Sequence, residues 1–131
     1  MKRWALFLLC VCWTVTAYAA DLNQSDASMI ESAGVPVYSK AIFAYGNQDV
    51  GFRFATSVPF EEVRQWYREK LPKWSVLDQY GSWILYDGEP GAGLGEVMSK
   101  TQILIKENEN LPGWHSLEKN MTTEITIMIV Q

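Results

Sequence analysis

Few residues in this chain have the type and spacing that chemistry demands. His115 is the single histidine. A metal site built on it would need carboxylates for its other ligands, and no His-Glu-x-x-His or comparable spacing occurs. Nucleophilic catalysis fares no better: no serine stands in a Gly-x-Ser-x-Gly elbow, and Ser116 and Glu118 lie too near His115 to assemble a triad without strain. Gly91-Ala92-Gly93-Leu94-Gly95 resembles a phosphate cradle in composition, yet no Lys-Ser or Lys-Thr follows it, a strand comes next, and Glu89 and Glu96 repel phosphate. It reads as a flexible loop. Asp87, Glu89 and Glu96 cluster around that loop, and a glycosidase needs two carboxyl groups about 5 to 9.5 Å apart. A solvated loop is the simpler identity for them, because a catalytic pair needs a rigid cleft that one small sheet and one helix rarely supply. No catalytic residue, cofactor or metal is assigned.

Aromatic residues are the more suggestive feature. Beyond residue 19 the chain carries four Trp, five Tyr and four Phe. Phe52, Phe54, Phe60 and Tyr67 are absorbed by a helix-on-sheet core. Trp66, Trp74, Tyr80, Trp83, Tyr86 and Trp114 are not all absorbed, so some are expected to line a groove or an exposed patch. The expected binding surface lies where Trp83, Tyr86 and the glycine-rich loop from Gly88 to Gly95, with Glu89 in it, meet, with Trp114 and Trp66 as further contributors, since loops on a rigid scaffold carry function more often than cores do. Strict strand alternation would nevertheless send Trp83 and Tyr86 to opposite faces unless a bulge intervened.

The chain's address is written in its first residues. Lys2 and Arg3 precede an apolar run from Trp4 to Val15, and Ala17-Tyr18-Ala19 puts small residues at the −3 and −1 positions of a cleavage site. This is the pattern of a secretory signal peptide. A membrane anchor would need about 20 apolar residues to cross roughly 30 Å of hydrocarbon, and this run is shorter. Cleavage is expected to leave a chain beginning near Ala20 or Asp21, without stable membrane insertion. Loss of residues 1–19 removes Lys2, Arg3, Cys10 and Cys12, so nine basic face fifteen acidic side chains for a net charge of −6, and no cysteine is left. Thiol catalysis, disulfides and cysteine-ligated zinc are thereby ruled out for the mature domain. Its acidity disfavours nucleic acid and anionic membranes as partners and leaves basic proteins open. The signal and the cysteine-free body together point to a bacterial protein, periplasmic or secreted.

The elements that must position these residues follow from patterning. Residues 20–34 form a polar lead-in, with Ser25 as expected N-cap of a turn or two of helix containing Met29 and Ile30 and ended by Gly34. A short strand is expected over Ala41 to Tyr45. Val50 to Thr56 alternates as a half-buried strand with Val50, Phe52 and Phe54 on one face. Ser57 and Pro59 open the best helix, which is stopped by Pro72; Phe60, Val63, Tyr67 and Leu71 fall within an arc of about 80° on it, and Trp66 stands at the edge of that face. Tyr67 and Leu71 are expected to close the core against Phe52 and Phe54. Trp74 to Gln79 and Ser82 to Tyr86 form a hairpin, and Lys100 to Lys106 and Thr122 to Val130 form the last strands, with Ile125, Ile127 and Ile129 on one face. A strand, a helix and then four strands joined mostly by turns imply an antiparallel sheet, because a parallel one would need more crossover helices. The expected fold is α+β: a single domain over residues 35–131, with about five or six antiparallel strands and one principal helix across them.

Several of these segments carry a resemblance. Val35-Pro36-Val37-Tyr38-Ser39-Lys40-Ala41, Phe54-Ala55-Thr56-Ser57, Val63-Arg64-Gln65-Trp66-Tyr67-Arg68-Glu69-Lys70-Leu71 and Thr123-Glu124-Ile125-Thr126-Ile127 look like small bacterial exported proteins of unknown function. In that pattern an extended Pro-x-Tyr-Pro-Gly-Ala segment precedes a strand ending in Thr, a Val-x-x-Phe-Tyr-x-x-x-Leu helix and a sheet. Ser39 and Lys40 replace its Pro and Gly. The resemblance implies a fold and brings no catalytic residues.

Three functions are compatible with the chain. The leading expectation is a non-catalytic protein that binds a macromolecular partner in the cell envelope. An inhibitor or immunity protein would turn the acidic charge against a basic toxin or hydrolase. A small carboxylate-dependent hydrolase of cell-wall glycan is the enzyme alternative. Acidic side chains converging in a cleft favour the enzyme, and an aromatic patch with no buried titratable group favours binding.

Overall fold

The computed structural model describes residues 22–79, 81–107 and 121–131. The expected signal peptide, Tyr80, Trp114 and His115 lie outside them. The elements run α1 (Gln24–Ser32), β1 (Ile42–Asn47), β2 (Gly51–Thr56), α2 (Phe60–Lys70), β3 (Ser75–Gln79), β4 (Ser82–Tyr86), α3 (Leu94–Val97), β5 (Gln102–Glu107) and β6 (Thr123–Met128). The six strands form one antiparallel sheet in the order β1-β2-β6-β5-β4-β3, so the fold is α+β as the patterning implies. The last strand lies between β2 and β5, and α2 links β2 to β3 at the far edge.

Alternation assigns the two faces. Phe52 pairs with Ile127 and Phe54 with Ile125; Ile103 and Ile105 sit opposite the same two isoleucines on β5, and Leu85 and Trp83 continue the rows on β4. All eight are buried on the front face, where Val63 and Tyr67 of α2 press against them. Tyr67 also bonds within this core: its hydroxyl accepts the backbone N–H of Tyr38 at 3.2 Å. Trp66, half-buried, stands edge-to-face against both Tyr38 and Tyr67. Burial raises the Tyr38 hydroxyl above its ordinary pKa, and the nearby charge of Glu62 adds to the shift.

Threonines fasten the helix to the sheet. Thr56, fully buried at the end of β2, donates its hydroxyl to the Lys40 carbonyl at 2.9 Å and accepts the Val58 N–H. Thr123 at the start of β6 donates to the Val58 carbonyl at 2.7 Å. The chain therefore enters α2 from a point held by both β2 and β6. Glu61 and Glu62 in the first turn and Arg68 and Lys70 in the last complement the helix dipole, which offsets the absence of a side-chain cap at Pro59.

Four local expectations are corrected. Val50 is 54% exposed, because it belongs to the β1–β2 turn, where Asn47 accepts the N–H groups of Asp49 and Val50. A side chain at Gly46, with φ at 119°, would overlap the carbonyl of Gly51, so this tight connection requires glycine there. Asn23, not Ser25, caps α1, its side chain accepting the Asp26 N–H at 2.8 Å. The segment around α1 does more than lead in, since Leu22 and Ile30 are buried in the front core. Leu71 is half-buried at the helix C-cap, leaving Val63 and Tyr67 as the fully enclosed residues of α2.

The central row makes a direct test. Replacing Ile127 with Ala is expected to destabilise the protein by about 2–5 kcal/mol, the range for truncating a buried aliphatic side chain. Val50→Ala should stay within about 0.5 kcal/mol. Urea midpoints at constant slope check both values.

Candidate functional site

The back face of the sheet carries a second, smaller core, and the glycine-rich segment is built on it. Tyr86 ends β4 with its ring on this face, opposite to Trp83. Both are buried, Tyr86 to 1% and Trp83 to 3% exposure, in different layers. The chain then folds down onto the tyrosine. Its hydroxyl donates to the Glu89 carbonyl at 2.7 Å, and a Cβ at Gly88 would stand only 3.1 Å from a ring carbon, so glycine permits the close approach. Ser75 on the edge strand donates to the Gly88 carbonyl at 2.7 Å, and the Asp87 N–H bonds to the Thr101 carbonyl.

The segment expected to be neither helix nor strand closes with the short helix α3. Val97 on α3 is fully buried and packs with Ile84 and Tyr86. The buried side chain of Gln102 donates to the carbonyls of Val97 and Lys100, which holds down the end of the helix. Glycine content hid this element: Gly95 has low helix propensity and Gly93 is the N-cap, and burial of Val97 supplies what propensity does not. The outcome is a platform over residues 87–98, tied to the scaffold at Tyr86, Ser75, Thr101 and Gln102.

The outward side of this platform is apolar at its centre. Leu94 and Met98 are 44% and 47% exposed, and their four-residue spacing puts them on one side of the helical turn while Val97 faces inward. Asp87, Glu89 and Glu96 are exposed along the same segment. Sequence reading passed over Leu94 and Met98 because it looked to aromatics; the usable signal was an i, i+4 apolar pair inside a glycine-rich stretch.

Of the expected surface residues, Tyr86 and Glu89 come together, through the hydroxyl–carbonyl bond. Trp83 belongs to the front core and Trp66 lies on α2, where the Lys70 ammonium is 5.6 Å from its ring centroid. Trp114 lies outside the described residues. Alternation without a bulge in the β3–β4–β5 pairing keeps Trp83 and Tyr86 from sharing a face.

The back face also holds a buried ion cluster. Glu124, 1% exposed, accepts from Arg53 at 3.2 Å and lies 3.9 Å from the Lys106 ammonium. The Arg53 guanidinium also lies 5.1 Å from the Tyr45 ring centroid. Among the described residues no group of three or more His, Cys, Asp or Glu side chains is placed to hold a metal ion. No helix among them is long and apolar enough to cross a membrane. Compared with known proteins, the chain matches no family model, no curated protein and no solved structure.

The Tyr86 anchor is testable by one atom. Tyr86→Phe removes the donor to Glu89 and is expected to cost about 0.5–1.5 kcal/mol. Amide hydrogen exchange should quicken across residues 87–98 and stay unchanged in β6. Unaltered exchange in the platform would mean the hydroxyl does not hold it.

Proposed function

We propose that this chain is an exported, non-catalytic binding protein of the bacterial envelope, and that the platform over residues 87–98 docks a macromolecular partner. The observation that carries the reading is the pairing of Leu94 and Met98, exposed side by side on a segment hydrogen-bonded to the sheet beneath it. Large apolar side chains on a held projection supply contact area with little ordering cost on binding. Fully burying a Leu or Met side chain contributes about 1.5–3 kcal/mol, and roughly the half of each that is still exposed is available to a partner. The apolar run and small-residue cleavage pattern of residues 2–19 support export.

Charge narrows the partner. Asp87, Glu89 and Glu96 are exposed on the platform, and the chain beyond residue 19 carries a net −6. A basic protein is therefore the partner of choice, and long-range attraction would speed its encounter. The inhibitor or immunity reading is one form of this interaction. The glycan hydrolase reading is less favoured, because these carboxylates stand exposed on a projecting segment rather than within a water-excluding cleft.

The test is affinity capture from periplasmic extract with the exported chain and a Leu94→Ser/Met98→Ser variant. The variant should lose about tenfold or more in affinity for whatever the native chain captures, with an unchanged melting temperature. Val76→Ser, at an exposed position on the edge strand β3, should retain the partner. Equal capture by native chain and double variant would remove the platform from the interface.

A further inference from the structure

At the opposite end of β4 from the platform, the sheet and α2 border an open cleft of about 570 Å³ whose lining includes Phe60, Arg64, Asp78, Ser82, Trp83, Lys106 and Glu107. Register explains the arrangement. Asp78 faces Trp83 across the β3–β4 pair, and Glu107 follows Ile103 and Ile105 on the same side of β5, so Asp78, Trp83 and Glu107 belong to the front face, while Ser82 and Lys106 alternate with them at the end of the sheet. The cleft forms where the front core runs out, beneath the first turns of α2.

Arg64 is set in place by the helix and the core. Its guanidinium lies 5.2 Å from the Phe60 ring centroid and 5.8 Å from that of Trp83, and Nη2 donates to Glu61 at 2.7 Å. That single bond leaves most of the five guanidinium N–H donors without an acceptor among the described residues. Across the cleft, Asp78 and Glu107 make no hydrogen bond or ion pair among the described residues. Opposite charges thus line one cavity while standing farther apart than ion-pair distance, with an aromatic wall beside them. Neither charge satisfies the other, and a ligand carrying both would satisfy each.

We propose that this cleft binds a short peptide with both termini free, its carboxylate on Arg64 and its ammonium on Asp78 and Glu107. Planar guanidinium suits a carboxylate, and carboxylates suit an ammonium with three donors. A cavity of about 570 Å³ lies within the usual range for small-ligand sites. The site is separate from the platform, so its failure would leave the partner-docking reading untouched.

The experiment is an amide NMR titration of the exported chain with glycine, diglycine and triglycine, and with triglycine blocked by N-acetylation or C-amidation. Glycine carries both charges close together, whereas the peptides separate them, so the series distinguishes a free amino acid from a peptide. Saturable shifts at Arg64, Asp78, Ser82 and Glu107 are expected to be tightest for a peptide. Blocking either end should weaken binding by about tenfold or more. Arg64→Lys should bind triglycine more weakly without lowering its melting temperature, and Asp78→Asn with Glu107→Gln should reduce it to the level of the N-acetylated peptide. No saturable shift up to millimolar concentration overturns the proposal. So does equal affinity for blocked and unblocked peptides, tightest binding of glycine, or saturation at residues away from the cleft.

Discussion

The sheet is one object only because its last strand fills the gap at its centre. β1 and β2 form a hairpin, and β3, β4 and β5 form a meander; among the described residues, no backbone hydrogen-bond ladder joins these two parts until β6 pairs with both β2 and β5. Ile125 and Ile127 then complete the rows Phe54–Ile125–Ile105 and Phe52–Ile127–Ile103, fully buried beneath α2. Pairing a strand at the end of the chain with one that begins at Gly51 closes a long loop, so the entropy of closure must be met by contacts made late and together. The hydroxyls of Thr56 and Thr123, bonded to the segment leading into α2, tie the same junction to the helix.

Both candidate sites depend on that closure. The platform rests on β4 and β5 through Tyr86, Val97 and Gln102, and the cleft is bounded by α2 together with the ends of β3, β4 and β5. Arg64 comes from the helix and Asp78, Lys106 and Glu107 from the strands, so the geometry of the cleft is set by how α2 lies on the sheet. The back face adds a stricter condition through Glu124, whose carboxylate is buried on β6 between Ala55 and Lys106. Removing one partner of a buried ion pair leaves the other charge uncompensated, which is costly even where the intact pair adds little net stability. Arg53 on β2 and Lys106 on β5 both reach this carboxylate, so the ions link the same three strands as the ladders do.

Period-two alternation made Phe52, Phe54, Ile125 and Ile127 readable as core, and the apolar stripe of α2 was readable at Val63 and Tyr67 for the same reason. Boundaries were harder. Val50 continued the alternation in sequence, but the turn bonds of Asn47 took it out of the strand. Trp83 and Tyr86 suggested a shared surface by type, while their odd spacing already implied opposite faces. The position of β6 was beyond local patterning, because strand order depends on contacts between distant segments. Leu94, Met98 and the Arg64–Asp78–Glu107 constellation share that limitation: each is ordinary in sequence and acquires meaning from what the sheet places around it.

The central claim is that β6 makes the two parts a single cooperative unit, and native-state hydrogen exchange in low concentrations of denaturant measures it directly. The account predicts that core amides of β2, β4, β5 and β6 converge on one opening free energy equal to that of global unfolding. Amides of β4 and β5 retaining protection at denaturant concentrations where β2 and β6 have already opened would contradict it, since the meander would then stand without the strand that joins it to the rest.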